Sequence, residues 1–486
     1  LGHFGRQPPE ELRRLAGGPA ARYDGPAGSS MRYHLTTLGC PKNVADSERL
    51  VRELRGHEPV SEPGAADVLI VNTCGFIDAA KRESVDAILR LAAGRRPEQR
   101  LIVAGCLTAL WRNDIEREIP EVDATFGVEA WEAIASYVDA LAPEGQRARY
   151  HVPEVSVAHG PGAYLKIADG CNAPCTFCVI PKMKGFLHSR HPDELVAEAR
   201  RLADEGVKEI VLVAQDTTDY GRDLGMRDAL PALLERLADA APDVHWFRVM
   251  YAYPGHVSPR LARVMASLPQ VCHYIDIPLQ HGSPSTLRRM KRPANLDRVR
   301  ETLDTLREAM PDIAIRTTFI TGFPGETEEE FEELLAFVSE QRFDRIGAFT
   351  FSPQPFTPAA NMPDQVPERV KRQRRDRLMR LAAQISAERQ AAQVGRELDA
   401  LIEARRPDGT LVGRTYRDAP EIDGVVYVRG DAEPGEVVRV RITGADVYDL
   451  TAEVLAPVNA GCASQSRRSI SMAESTISAS SREPSM

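Results

Sequence analysis

Short apolar runs of β type alternate with helical spacing over most of the chain. Between 31 and 141, RYHLTTL (32–38), DVLIVN (67–72), LIVA (101–104) and 123–126 read as strands, with helical patterns near 44–55, 78–93 and 130–141. That order predicts a small α/β domain with a mostly parallel sheet. The alternation returns at larger scale between 157 and 388. Strands are expected at AYLKIA (163–168), EIVLVA (209–214), WFRVMY (246–251), CHYIDI (272–277), IAIRTTFI (313–320) and RIGAFTF (345–351). Six βα units predict a partial, open (βα)6 TIM-like barrel, whose site lies on loops at the strands' C-terminal ends. A long charged helix, about 366–394, leads out of it. Short strands such as 398–403, 425–428, 436–442 and 447–454, punctuated by Pro-Asp-Gly, Ile-Asp-Gly and Glu-Pro-Gly, predict a small antiparallel β-barrel of OB-like size.

The ends of the chain lack such periodicity. Residues 1–30, rich in Gly, Pro, Ala and Arg, read as a flexible extension, and the Ser-rich 458–486 as a disordered tail. The expected domains are therefore 31–141, 157–388 and 390–457. Hydrophobic residues make up 43% and charged residues 27% of the 486, as in soluble globular proteins. No stretch approaches the roughly 20 apolar residues of a bilayer crossing, and the N-terminus lacks the apolar core of a signal peptide. A cytoplasmic location with no membrane partner is expected. A net charge of −9 argues mildly against nucleic-acid gripping as the main role. Eight cysteines in such a chain suit thiolate, metal or cluster chemistry better than disulfides. Cys272 and Cys462 stand alone; the other six form two sets.

Cys171, Cys175 and Cys178 follow the first barrel strand in a C-x3-C-x2-C loop. A 4Fe–4S cluster takes one thiolate per iron, so three cysteines leave one iron open to a ligand with amine and carboxylate donors. S-adenosylmethionine (SAM) is the leading candidate, since reductive cleavage of its sulfonium yields a 5′-deoxyadenosyl radical. Zinc is the bland alternative, with His188 or His191 as a fourth ligand. Cys40, Cys74 and Cys106 each sit two residues past a predicted strand, beside Gly39, Gly75 and Gly105. In a parallel sheet those ends share one edge, so the three converge and can hold a second open-sited cluster. The alternative is three cysteines packed as small hydrophobes.

The triad, with Phe177 just before its last cysteine, resembles the radical SAM superfamily. The resemblance implies that Phe177 lies against the adenine and that Gln215 and Asp216 meet the methionine moiety. It also implies that the segment holding Gly322 and Gly325 in ITGFPGE lies near the adenosine; a tight turn is the plainer reading. The whole of 31–457 resembles the methylthiotransferases, with an N-terminal cluster domain, a radical SAM barrel and a C-terminal TRAM domain. LGCPKNVADSE, VNTCGFIDAAKRES and DAPEIDG (418–424) are similar to the ribosomal-protein branch rather than the tRNA-modifying one; LTALWRND after Cys106 departs from the usual run. Thirteen acidic against eight basic residues over 396–457 also suit a basic protein partner better than tRNA.

The resemblance implies two 4Fe–4S clusters and two SAM molecules. One cluster cleaves SAM, and the radical takes a hydrogen from the β-carbon of an aspartate on the twelfth small-subunit ribosomal protein. A sulfur held at the other cluster is methylated by the second SAM and captured by the substrate radical. A flavodoxin- or ferredoxin-like reductant and a sulfur donor are implied partners. No catalytic acid–base pair is expected, and Asp276, His281 and Arg316 are candidates for positioning substrate. The competing readings are a tRNA adenosine methylthiotransferase and a non-enzymatic iron–sulfur scaffold or sensor.

Overall fold

The computed structural model describes residues 30–128, 130–142 and 161–457. The expectations for 1–29 and for 458–486, Cys462 included, lie outside the described residues. Strands β1 (Arg32–Thr37), β2 (Glu58–Pro59), β3 (Val68–Thr73), β4 (Arg100–Gly105) and β5 (Ala124–Phe126) form a parallel sheet of order β2-β1-β3-β4-β5. Alternate residues face opposite helix layers. Val68, Ile70 and Ile102 pack with Leu50, Trp131 and Val138, whereas Leu69, Val71 and Val103 pack with Ile88, Leu107 and Ile115. β3 is therefore buried along its whole length. Thr37 pairs with Asn72 and Thr73 with Gly105, which brings the C-terminal ends of β1, β3 and β4 level.

The second sheet is an open arc of six parallel strands: β6 (Gly162–Lys166), β9 (Glu209–Val213), β10 (Trp246–Val249), β11 (Val271–Asp276), β12 (Ala314–Thr321) and β13 (Arg345–Thr350), adjacent in chain order. A two-stranded ribbon, β7 (Ala168–Asp169) with β8 (His188–Ser189), brackets the loop holding the downstream triad. Leu165, Leu212, Phe247 and Ile275 face the outer helices. Tyr164, Val213, Trp246, Cys272 and Tyr274 face inward, against Leu401 and Ala419 of the C-terminal unit and Ala45 of the N-terminal one. Cys272 is thus a core residue, and burial pushes its thiol up to about 12.

After the helix Glu368–Ala391 the chain closes a five-stranded barrel: β14 (Glu397–Arg405), β15 (Leu411–Thr415), β16 (Val426–Arg429), β17 (Val437–Ala445) and β18 (Leu450–Pro457). β15 was not marked by the apolar pattern, because Gly413 and Arg414 interrupt a run of only five residues. Buried ion pairs fix this barrel to the arc. Arg414 Nη2 donates to Glu209 at 2.6 Å, Glu209 also accepts from Arg248 at 2.6 Å, and Arg345 pairs with Asp418.

Asp344 joins the network through Arg417 at 2.7 Å and Arg389 at 2.9 Å. Burial works against its ionisation, but the two guanidinium groups outweigh it and hold the carboxyl below its ordinary range. A depressed folded pKa stabilises above the unfolded value of about 4 and is lost as pH falls through the folded one. Asp344→Asn is therefore expected to lower stability at pH 7 by about 3 kcal/mol or more. The gap to the parent should close below about pH 4, read from thermal unfolding across pH 3 to 7.

Candidate functional site

Cys40 directly precedes the helix Pro41–Glu53, Cys74 directly follows β3, and Cys106 opens the helix Cys106–Glu118. Gly39 adopts φ 98°, and a Cβ there would lie 2.6 Å from Cys74 Cβ and 2.9 Å from its sulfur. Gly105, also at φ 98°, comes equally close to Asn72 and Thr73. Only glycine lets these loops approach so closely. Asn43 ties the three together: its amide donates to the Leu38 and Thr73 carbonyls at 2.7 and 3.0 Å, and its Oδ1 lies 3.8 Å from Cys106 Sγ. Burial raises the Cys74 thiol pKa and pushes that of Cys106 up to about 12. Deprotonating such thiols calls for a bound cation.

The triad loop is sewn into the barrel. Thr176 N donates to the Met290 carbonyl at 3.1 Å and Thr176 Oγ1 to that of Arg289 at 2.9 Å. Arg292 places its guanidinium 3.8 Å from Cys175 Sγ and 4.1 Å over the Tyr253 ring. Burial raises Cys171 and pushes Cys178 up to about 12. Among the described residues, the one set of three His, Cys, Asp or Glu ligand atoms within 4.8 Å of one another is Asp216, Asp219 and His256. Neither cysteine set closes around a single ion. His191 caps the helix Pro192–Asp204 and His188 sits exposed on β8, so neither completes a zinc site.

The two cysteine sets meet. Val179, beside Cys178, packs with Met183 against Cys106. Under this contact lie four charged side chains, each less than 10% exposed. Asp46 pairs with Lys166 and, at 3.4 Å, with Lys184; Asp169 lies 2.9 Å from both lysines. Tyr251, at φ 60°, carries the Lys42 ammonium 3.5 Å above its ring, bracing the end of β10 against the Cys40 loop. A cavity of about 550 Å³ opens between the units, lined by Phe76, Asp78 and Arg82 on one side and Phe177, Gln280 and Phe351 on the other. Asp78 accepts from Ser352 Oγ at 3.0 Å across it.

Of the residues expected to meet SAM, Phe177 lines this cavity, edge-on to Phe323. Gln215 presents an amide whose oxygen and nitrogen are both buried and unpartnered. Asp216 instead caps Thr218 and Asp219 and accepts from His256 at 2.9 Å. Gly322 and Gly325 belong to a self-closing turn, with Gly322 N donating to Glu326 at 2.8 Å and the Gly325 carbonyl accepting from Arg289. Asp276 pairs with Arg316 at 2.9 Å, and Arg316 reaches Asp423 of DAPEIDG at 3.4 Å, so both serve the seam with the C-terminal barrel. His281 is buried 3.3 Å from Glu326. Asn43, Arg292 and the Asp46 quartet were missed. Asn43, three residues past Cys40, was the one of these with a local signal.

Three family models match the chain: an uncharacterized protein family, UPF0004, over 32–127, the radical SAM superfamily over 165–338 and the TRAM domain over 394–455. A ribosomal protein uS12 methylthiotransferase RimO from Roseiflexus sp. strain RS-1 is 46% identical over 87% of this chain and 97% of its own. The same-named protein of Chloroflexus aurantiacus is 46% identical over 87% of this chain and all of its own. Among solved structures, the radical SAM methyltransferase TsrM of Kitasatospora setae, with cobalamin and a [4Fe–4S] cluster bound, has a TM-score of 0.51 at 14% identity, covering 68% of this chain and 77% of that one. It supports the fold. Among the described residues no helix is long and apolar enough to cross a membrane.

Proposed function

Because the chain belongs to the RimO family of ribosomal protein uS12 methylthiotransferases, we propose that it attaches a methylthio group to the β-carbon of an aspartate of uS12. The observation that carries this reading is the contact of two three-cysteine sets through Val179 and Cys106. Cys171, Cys175 and Cys178 would hold one 4Fe–4S cluster and Cys40, Cys74 and Cys106 a second, three thiolates to each. The donor spacing favours this over a single ion, as does the missing side chain of Gly39 beside the Cys74 sulfur. When bound, SAM and the clusters supply the radical and the sulfur.

The chain's own part is positioning. Gln215 offers its unpartnered amide to the methionine end of SAM and Phe177 its ring to the adenine, while Asp216 holds the Gln215 loop in shape through its caps. Arg292 places positive charge beside the Cys175 sulfur. The cavity lined by Phe76 and Arg82 is where the target aspartate would enter. A flavodoxin- or ferredoxin-like protein delivers electrons, a sulfur donor recharges the upstream site, and the reaction takes place in the cytoplasm.

Anaerobically reconstituted protein given SAM, dithionite and uS12 should add one methylthio group per uS12 chain by mass spectrometry. Formation of 5′-deoxyadenosine with the uS12 mass unchanged would sink the reading. Gly39→Ala should bind about half the iron of the parent, because its Cβ displaces the Cys74 sulfur and leaves the triad untouched.

A further inference from the structure

A second cavity, of about 270 Å³, opens where the three folded units meet, and no cysteine lines it. Glu48 of the helix Pro41–Glu53 and Tyr164 of β6 form one wall. Glu403, Arg414, Pro420 and Glu421 of the C-terminal barrel form the other. Glu48 and Tyr164 are each only 7% exposed, yet Glu48 Oε1 and the Tyr164 hydroxyl have no hydrogen-bond partner. Buried polar groups are almost always satisfied, so two unpartnered ones in a single cavity mark a place where a ligand group completes them. Arg414 does not neutralise the site, since its guanidinium is already bound by Glu209 and Glu403.

We propose that this cavity receives a cationic side chain, lysine or arginine, of the protein substrate, held by Glu48, Tyr164 and Glu421. The proposal rests on the reading of the chain as a ribosomal-protein modifier, and ribosomal proteins are rich in such side chains. A carboxylate and a hydroxyl oxygen both accept from an ammonium or guanidinium donor, and a cation removed from water needs such a partner.

The acidity of Glu48 provides the test. Burial above all pushes its carboxyl up to about 8. Glu198 and Glu421 add to that shift, while Arg52 and Arg201 oppose it. In the free protein at pH 7 Glu48 carries a proton; a cation seated beside it favours the carboxylate and sends that proton to solvent.

Full-length protein titrated calorimetrically with uS12 at pH 7, in buffers of different ionisation enthalpy, should release close to one proton per complex. Glu48→Gln should abolish the release and weaken binding roughly tenfold, while Tyr164→Phe should weaken binding and keep the release. Acetylating the lysines of uS12 separates the two sources: lost release assigns lysine, retained release arginine. Unchanged affinity and proton count in both variants would overturn the cavity proposal alone. If the parent protein does not bind uS12, the proposed function fails with it.

Discussion

Cys106→Ala is expected to abolish methylthio transfer while SAM cleavage continues at close to the parent rate. Cys106 lies on the far side of its contact with Val179 from the triad, so its loss leaves Cys171, Cys175 and Cys178 intact. Loss of an outer contact to a metal ligand costs about 10- to 100-fold, and loss of the ligand itself should cost more. Cys178→Ala should instead end both reactions. Chromatography of 5′-deoxyadenosine beside mass spectrometry of uS12 reads the two arms together. If product formation survives in Cys106→Ala, the upstream set is not the sulfur site.

The second large effect is expected from Asp46→Asn. Asp46 and Asp169 balance Lys166 and Lys184 in a nearly dry pocket. Removing one carboxylate leaves two ammonium groups and one carboxylate there, at a cost of about 3–5 kcal/mol, read as a fall in the urea midpoint. A double variant, Asp46→Leu with Lys184→Met, should recover more than half of that loss, because it restores charge balance around Lys166 and Asp169. A double variant no more stable than Asp46→Asn would show that the quartet works through shape rather than charge. Product formation should fall further than SAM cleavage in Asp46→Asn, since Asp46 sits on the helix that begins just after Cys40 while Asp169 lies two residues before Cys171.

The elements legible in the sequence were those that announce themselves locally. β3 and β4 are apolar runs because helices cover both their faces, and the barrel strands stand out by short β-rich runs alternating with helical spacing. The convergence of Cys40, Cys74 and Cys106 followed from strand ends in a parallel sheet, and the registers of Thr37 with Asn72 and Thr73 with Gly105 align those ends. The partners of polar residues were not legible. Asp276 and Arg316 sit on barrel strands, as substrate-handling groups do, but Asp276 pairs with Arg316 and Arg316 with Asp423, which also accepts from Tyr274 across 149 residues of chain. No periodicity encodes such a pair. Asp216 shows the opposite difficulty: its position after β9 suits a ligand, and its short side chain suits a cap equally well.

DAPEIDG has a bearing on how such chains can be recombined. Asp418 and Asp423 are held by Arg345, Tyr274 and Arg316 of the barrel arc, and Arg414 by Glu209. The C-terminal unit is thus fitted against the inner face of the arc rather than an arm swinging on a hinge. Grafting the corresponding unit from a tRNA-modifying relative would set foreign side chains against Glu209, Asp344 and Arg345, stranding charges built to be matched. A working chimera would have to carry those three residues across with the graft.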